Sequence, residues 1–350
     1  MNVSRAIRTF LVLLAATSLV ECSGGGASHS IPSSGISSGH RAHAMGLGTI
    51  SGCGEYSDGS VAVLEERAGK IYFYDGPLTN SSTATATIAI PGAELGVNTT
   101  AGGLTFDSGG NLWAAIFVSG NAPAIYEFAA PLTTGESPSI TISGSNTGLV
   151  SPWGISYNPG TGNIYVADTD ANAIDVWSAS ASGNVAPSAT ISGSNTALTS
   201  PTGIRTDANY IYVNGSDDNL NEFSISASGN ASPANTVSLG SSASWFDFDV
   251  VQNIYVPQGS NTNVFIPYNN YENSHTQANS NSFEHGVAVD DAGYIYGPSG
   301  PSDADIYVYD SVNWSSTTPT LAVDVNVGSE AQLESIALYS PGKFNGTEPQ

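Results

Sequence analysis

The stretch ISGSNTGLVSP, Ile142 to Pro152, returns 49 residues later as ISGSNTALTSP, Ile191 to Pro201. The text after each copy extends the repeat. After Pro152 come PWGISYN, GNIYVAD, AIDVWSA and PSATISG; after Pro201 come PTGIRTD, NYIYVNG, NLNEFSI and ANTVSLG. Each unit holds four short runs bounded by Gly, Asn, Asp or Pro. Ile164 and Val166 alternate with Tyr165, the period of two that a strand requires. Four strands in a unit of this length make one blade of a β-propeller. The quoted phrase then leaves the outer strand of one blade, crosses, and begins the inner strand of the next, with Pro152 breaking regularity ahead of it.

Further copies flank the pair. GGLTFDSGGNLWAAIF, AIYEF and SITIS fall between Gly102 and Ser143. FDFDVVQNIYVP and NVFIP cover Phe246 to Pro267, with a poorly marked last strand, and HGVAVDDAGYIYGP, DIYVYD and LAVDV cover His285 to Val325. The inner-strand glycine or its equivalent is expected at Gly103, Gly154, Gly203, Asp247, Gly286 and Ser335. At the ends, SVAVL, KIYFYD and ATATIAI supply three strands without a first, and ESIALYS supplies a first strand alone. Joined, they complete one blade and remove an open sheet edge. The expected fold is all-β: a six-bladed propeller of four-stranded antiparallel blades over residues 60–341, closed by the C-terminal strand, with a tail over 342–350.

The runs G-I-S-Y-N, N-I-Y-V-A-D and A-I-D-V-W resemble those of NHL-repeat propellers, a likeness that spans about Ser60 to Pro341. It implies the fold and leaves function open, since such propellers serve as protein-binding modules, RNA-binding modules, lyases and extracellular sensors. The six-bladed lactonase, gluconolactonase and streptogramin-lyase group is the enzymatic branch it brings in. That group implies a divalent metal on the axis held by Glu, Asn and Asp.

Seven basic residues against 30 acidic ones give a net charge of −23. Nucleic-acid affinity rests on Lys and Arg displacing counterions, so this balance speaks against nucleic acid and against anionic membrane surfaces. Arg5 and Arg8 precede the apolar Phe10 to Val20, a stretch too short to span a bilayer, followed by LVEC and SGGG. Residues 1–22 thus look like a bacterial lipoprotein signal with Cys22 as the lipidated residue. Glu21 stands where that pattern has a small residue, so plain secretion is the alternative. Residues 23–59, rich in Ser and Gly, read as a tether. The expected location is extracytoplasmic, with any membrane attachment made through the lipid alone. Cys22 and Cys53 are the only cysteines, and no CxxC or paired Cys/His spacing suggests zinc.

Residues just before the inner-strand glycines ring one mouth of such a scaffold: Gly102, Trp153, Thr202, Phe246, His285 and Glu334. Varied residues on a uniform frame are where specificity lives, so Trp153, Thr202, Phe246, His285 and Glu334 are the candidate binding residues. His285 beside Glu334 could form a base–carboxylate pair or help hold a metal, with Glu284, Asp168 and Asp217 nearby. No catalytic set or metal set assembles from the sequence. DTDAN, Asp168 to Asn172, begins like a calcium loop but has Ala173 where the loop needs glycine and Ala179 where it needs glutamate. Neither GxxxxGK[ST] nor GxGxxG occurs. The expectation is a monomeric, non-catalytic module without a cofactor, binding an extracytoplasmic protein or a small molecule. The alternative is a metal-dependent lactonase or lyase at the channel mouth.

Overall fold

In SVAVL, Val61 and Val63 point into one hydrophobic core, and Ala62 and Leu64 point into another. Both faces of the strand are buried, as they must be when a sheet is sandwiched between two neighbours. The computed structural model describes residues 59–76, 78–93, 100–240, 244–249, 252–265, 274–283, 286–290, 293–298, 305–310, 321–324 and 332–339. Among these residues the regular structure is entirely β. Six antiparallel sheets form, five of four strands and one of three. Blade 1 runs from Ser60 to Ala89, blade 2 from Thr100 to Ser143, blade 3 from Pro152 to Ser192 and blade 4 from Ile204 to Ser238. Blade 5 runs from Asp247 to Phe283, and blade 6 from Ala288 to Asp324.

The strand Leu333–Tyr339 joins blade 1 as its inner strand, pairing Leu338 with Val61, Ala337 with Ala62 and Ile336 with Val63. The ring closes as the sequence predicts. Six hydrophobic clusters fill the interfaces between successive blades, including Ile306 and Val308 of blade 6 against Val61 and Val63 of blade 1. Burying each large aliphatic or aromatic side chain contributes about 1.5–3 kcal/mol, so the cores between blades dominate cohesion.

Inner strands lie against one another at the centre. A methyl group on Gly103 would come 2.5 Å from the Trp153 carbonyl oxygen. One on Gly154 would overlap the Thr202 carbonyl oxygen and reach the Ile204 side chain at 3.0 Å. Glycine is required because backbone meets backbone there.

The opposite end of four of the inner strands is fixed by a carboxylate. Asp107 accepts the Gly109 and Asn111 amides through Oδ1 and the Trp113 indole N–H through Oδ2, at 3.1 Å. Asp207, Asp249 and Asp290 repeat the turn, each accepting a second-strand tyrosine hydroxyl, from Tyr212, Tyr255 and Tyr296 respectively. These tyrosines therefore do more than pack: they hold the turn carboxylates.

The repeated phrase has a further cause. Gly135, Gly183 and Gly229 each donate their backbone N–H to a threonine carbonyl on the preceding blade's outer strand, at Thr87, Thr141 and Thr190 (2.7–2.9 Å). Asn184 and Asn230 then accept the amides of Asn146 and Asn195 inside the two copies of the phrase. DTDAN clasps both copies. Asp168 accepts the Val150 and Ser151 amides of the first, while Asn172 Oδ1 accepts the Ser200 amide and Thr169 donates to the Pro201 carbonyl of the second.

Blade 5 departs from expectation. NVFIP does not form a separate third strand; its described residues continue the second strand, which runs unbroken over Ile254–Phe265 and pairs with Ser274–Phe283. Replacing Gly154 with Ala is expected to destabilise the ring by about 1–3 kcal/mol through overpacking, read as a lowered urea midpoint with an unchanged slope.

Candidate functional site

The turn carboxylates give a register independent of the strands. Asp107, Asp249 and Asp290 each accept, through Oδ1, the amide four residues on. Counting four residues back from each gives Gly103, Trp245 and Gly286. The glycine position of blade 5 is therefore Trp245, not Asp247, and the residue before it is Ser244. Phe246 moves one step inward, to the place of Leu104, Ile155 and Ile204. It is fully buried in the core between blades 4 and 5, edge-on to Phe248 at 5.5 Å. This corrects the sequence placement of Phe246 in the mouth ring. The motif FDFD offers two aspartates two residues apart, and only the second makes the turn.

Three of the other mouth positions share a backbone irregularity, while Gly102 of blade 2 keeps a regular register, facing Ile116. In blade 3, Pro152 pairs with Asp168 and Ile155 with Val166, so Trp153 and Gly154 together face the single residue Ala167. In blade 4, Thr202 N–H donates to the Asn214 carbonyl at 2.9 Å and Asn214 N–H to the Gly203 carbonyl at 3.1 Å, again two residues against one. In blade 1, Leu64 pairs with Ser335 but Glu65 with Leu333, which makes Glu334 the extra residue. Such bulges re-aim side chains and gather beside functional sites. His285, the mouth position of blade 6, lies outside the described residues, as do its neighbour Glu284 and Cys22.

Several polar atoms at this end of the inner strands are buried without a partner: Trp153 Nε1, Trp245 Nε1 and Ser335 Oγ. Indoles elsewhere are satisfied, with Trp113 donating to Asp107 and Trp177 to the Val185 carbonyl. A buried donor without an acceptor costs about 1–3 kcal/mol, so the exceptions call for an explanation. Thr202 is engaged, its hydroxyl donating to the Ser244 carbonyl at 2.7 Å. Deeper in, Arg205 Nε meets Asp247 Oδ1 at 2.9 Å, and Asp247 Oδ2 accepts the Val289 amide at 2.9 Å, linking blades 4, 5 and 6.

Glu334 is 3% exposed. Burial, then the charge of Glu66, pushes its carboxyl up to about 8. Burial also raises Asp168, against hydrogen bonds from the Ser151, Val150 and Ala171 amides. Asp168 is held by its backbone clasp, and Asp217 accepts from neighbouring Asn219. Among the described residues no group of three or more His, Cys, Asp or Glu side chains could hold a metal ion. Indole N–H groups, a hydroxyl and a carboxyl that favours its proton are likewise not a cation's donor set.

No protein-family model matches this chain, and no curated protein matches it. Solved structures do. A chain in the crystal structure of a nidogen/laminin complex is 14% identical, with a TM-score of 0.58 over 79% of this chain and 98% of its own. A functionally unknown protein from Desulfotomaculum acetoxidans DSM 771 is 15% identical, with a TM-score of 0.53 over 82% of this chain and 88% of its own. A chain of the mitotic checkpoint complex is 14% identical, with a TM-score of 0.50 over 82% of each chain. These likenesses show the fold, a β-propeller.

The raised carboxyl has a stability consequence. Between the ordinary value of 4.5 and about 8, the unfolded chain releases a proton that the folded chain keeps. The contribution of Glu334 is therefore fully present below 4.5 and is lost as pH rises through about 8. Thermal unfolding should show a lower midpoint at pH 8 than at pH 5. Glu334→Gln should flatten that slope by on the order of a few kcal/mol across the interval.

Proposed function

We propose that this chain is an exported, monomeric β-propeller of the NHL-like kind. It acts as a non-catalytic module, binding an extracytoplasmic protein or small ligand at the ring mouth. One observation carries the reading: at the mouth, near-identical backbone positions hold dissimilar residues, and three buried polar groups there lack partners. Among the described residues two other buried side-chain atoms, Thr100 Oγ1 and Glu136 Oε1, also lack partners, but three of the five gather at this end, which fits a site organised around something that arrives. Two of the similar chains come from multiprotein complexes, which is in keeping with this role. Export is supported by Arg5, Arg8 and the apolar run Phe10 to Val20, with Cys22 as the lipid attachment point and 23–59 as the tether. The acidic balance places nucleic acid outside the partner range.

A second reading, a metal-dependent lactonase or lyase with Glu334 and His285 in its site, is favoured by one feature. A buried carboxyl that keeps its proton near neutrality is suited to general acid work. Lactone opening by the purified protein, with divalent metal and lost in Glu334→Gln, would decide for it.

Two measurements test the first reading. Peptide and glycan arrays probed with the full chain should yield ligands whose binding falls about 30-fold or more in Trp153→Ala, the loss typical of a central aromatic. Binding should persist in Tyr210→Ala, whose side chain lies on the exposed surface. Mass spectrometry of the mature N-terminus should find a lipid on Cys22; a free thiol there would leave plain secretion.

A further inference from the structure

We propose that the ligand of the mouth is an uncharged carbohydrate. This rests on the mouth being the binding site and goes further by naming the chemical class.

Indole N–H can only donate, and a serine hydroxyl donates as readily as it accepts. Trp153 Nε1 lies one residue before the glycine position of blade 3, and Trp245 Nε1 lies at that position in blade 5. Ser335 Oγ occupies the same position in blade 1, and its residue is 1% exposed. All three therefore stand at one end of the inner-strand ring, within a residue of the same height. Trp245 is 4% exposed and still lacks an acceptor. A set of donors calls for oxygen acceptors.

Charge narrows the choice among them. Carboxylate and phosphate oxygens would approach a chain of net charge −23, with the charge of Glu66 near enough to the mouth to act on Glu334. That field opposes anions. Metal ions and ammonium groups bring no acceptors for the indoles. A peptide brings carbonyls, but also backbone N–H groups that need acceptors of their own. Sugar hydroxyls meet donors and acceptors alike, and the apolar face of a pyranose ring suits an indole surface.

The test uses the full purified chain. Its tryptophan fluorescence and binding heat are followed against neutral tetrasaccharides of glucose, galactose and N-acetylglucosamine, a uronic-acid tetrasaccharide, and a panel of uncharged peptides. At least one neutral tetrasaccharide should bind, with the uronic-acid counterpart at least tenfold weaker. Trp153→Phe and Trp245→Phe, which keep a ring and remove the N–H, should each weaken it about tenfold. Far-UV circular dichroism checks that both variants fold; if Trp245→Phe does not, Trp153→Phe decides alone. Absence of neutral-sugar binding, equal or tighter uronate binding, or sugar binding unchanged in the folded variants overturns the carbohydrate inference. Peptide binding that the same variants abolish would overturn it while keeping the mouth as the site. Binding of any probe that neither variant nor Trp153→Ala affects would sink both.

Discussion

The structure depends on how closely its inner strands approach. With Gly103 against the Trp153 carbonyl and Gly154 against the Thr202 carbonyl, the centre of the ring is backbone packed on backbone. No side chain fits between those strands, so each blade's chemistry is displaced to the ends of its inner strand. One end is committed to the turn carboxylates and their aromatic donors. The other end is free to vary, and there the blades carry Glu334, Gly102, Trp153, Thr202 and Ser244. Separation of scaffold from specificity thus follows from a steric condition at the axis.

Blade 5 breaks the condition and shows what replaces it. An indole at Trp245 stands where its neighbours have no side chain, so the central approach used elsewhere is not open to it. Polar links across the inner strands do part of that work, from Arg205 to Asp247 and from Asp247 to the Val289 amide. The same blade fuses its second and third expected strands into Ile254–Phe265 and, among the described residues, has three strands where the others have four. The least regular blade thus carries the bulkiest residue at the glycine position.

Much of this was legible from the chain. Period-two runs bounded by turn residues located the blades, and the orphan strand ESIALYS located the closure, because a strand with both faces apolar must find a sheet. The site was legible only in part. Trp153, Thr202 and Glu334 stand one residue before the glycine position, whereas the expectation for Phe246 follows the wrong aspartate of FDFD. Spacing from the neighbouring blade does not separate a turn aspartate from one that pairs with arginine; that distinction lies in hydrogen bonds from Asn253 and Tyr255, made only once the hairpin has formed. Trp245 gives no sign of its place in the sequence, because a tryptophan does not look like a substitute for glycine. An aromatic recurs six residues after Asp107, Asp249 and Asp290, at Trp113, Tyr255 and Tyr296, and five after Asp207, at Tyr212, a readable signal that fixes the register.

The closing pair of strands also sets an orientation. Ser60 pairs with Tyr339, whereas Glu65 pairs with Leu333 next to Glu334. The first residue of the first strand therefore lies at the floor of the ring, a strand's length from the varied rim. One pair of strands thus keeps the start of the ring's chain and its varied positions at opposite ends, so change at one leaves the other undisturbed.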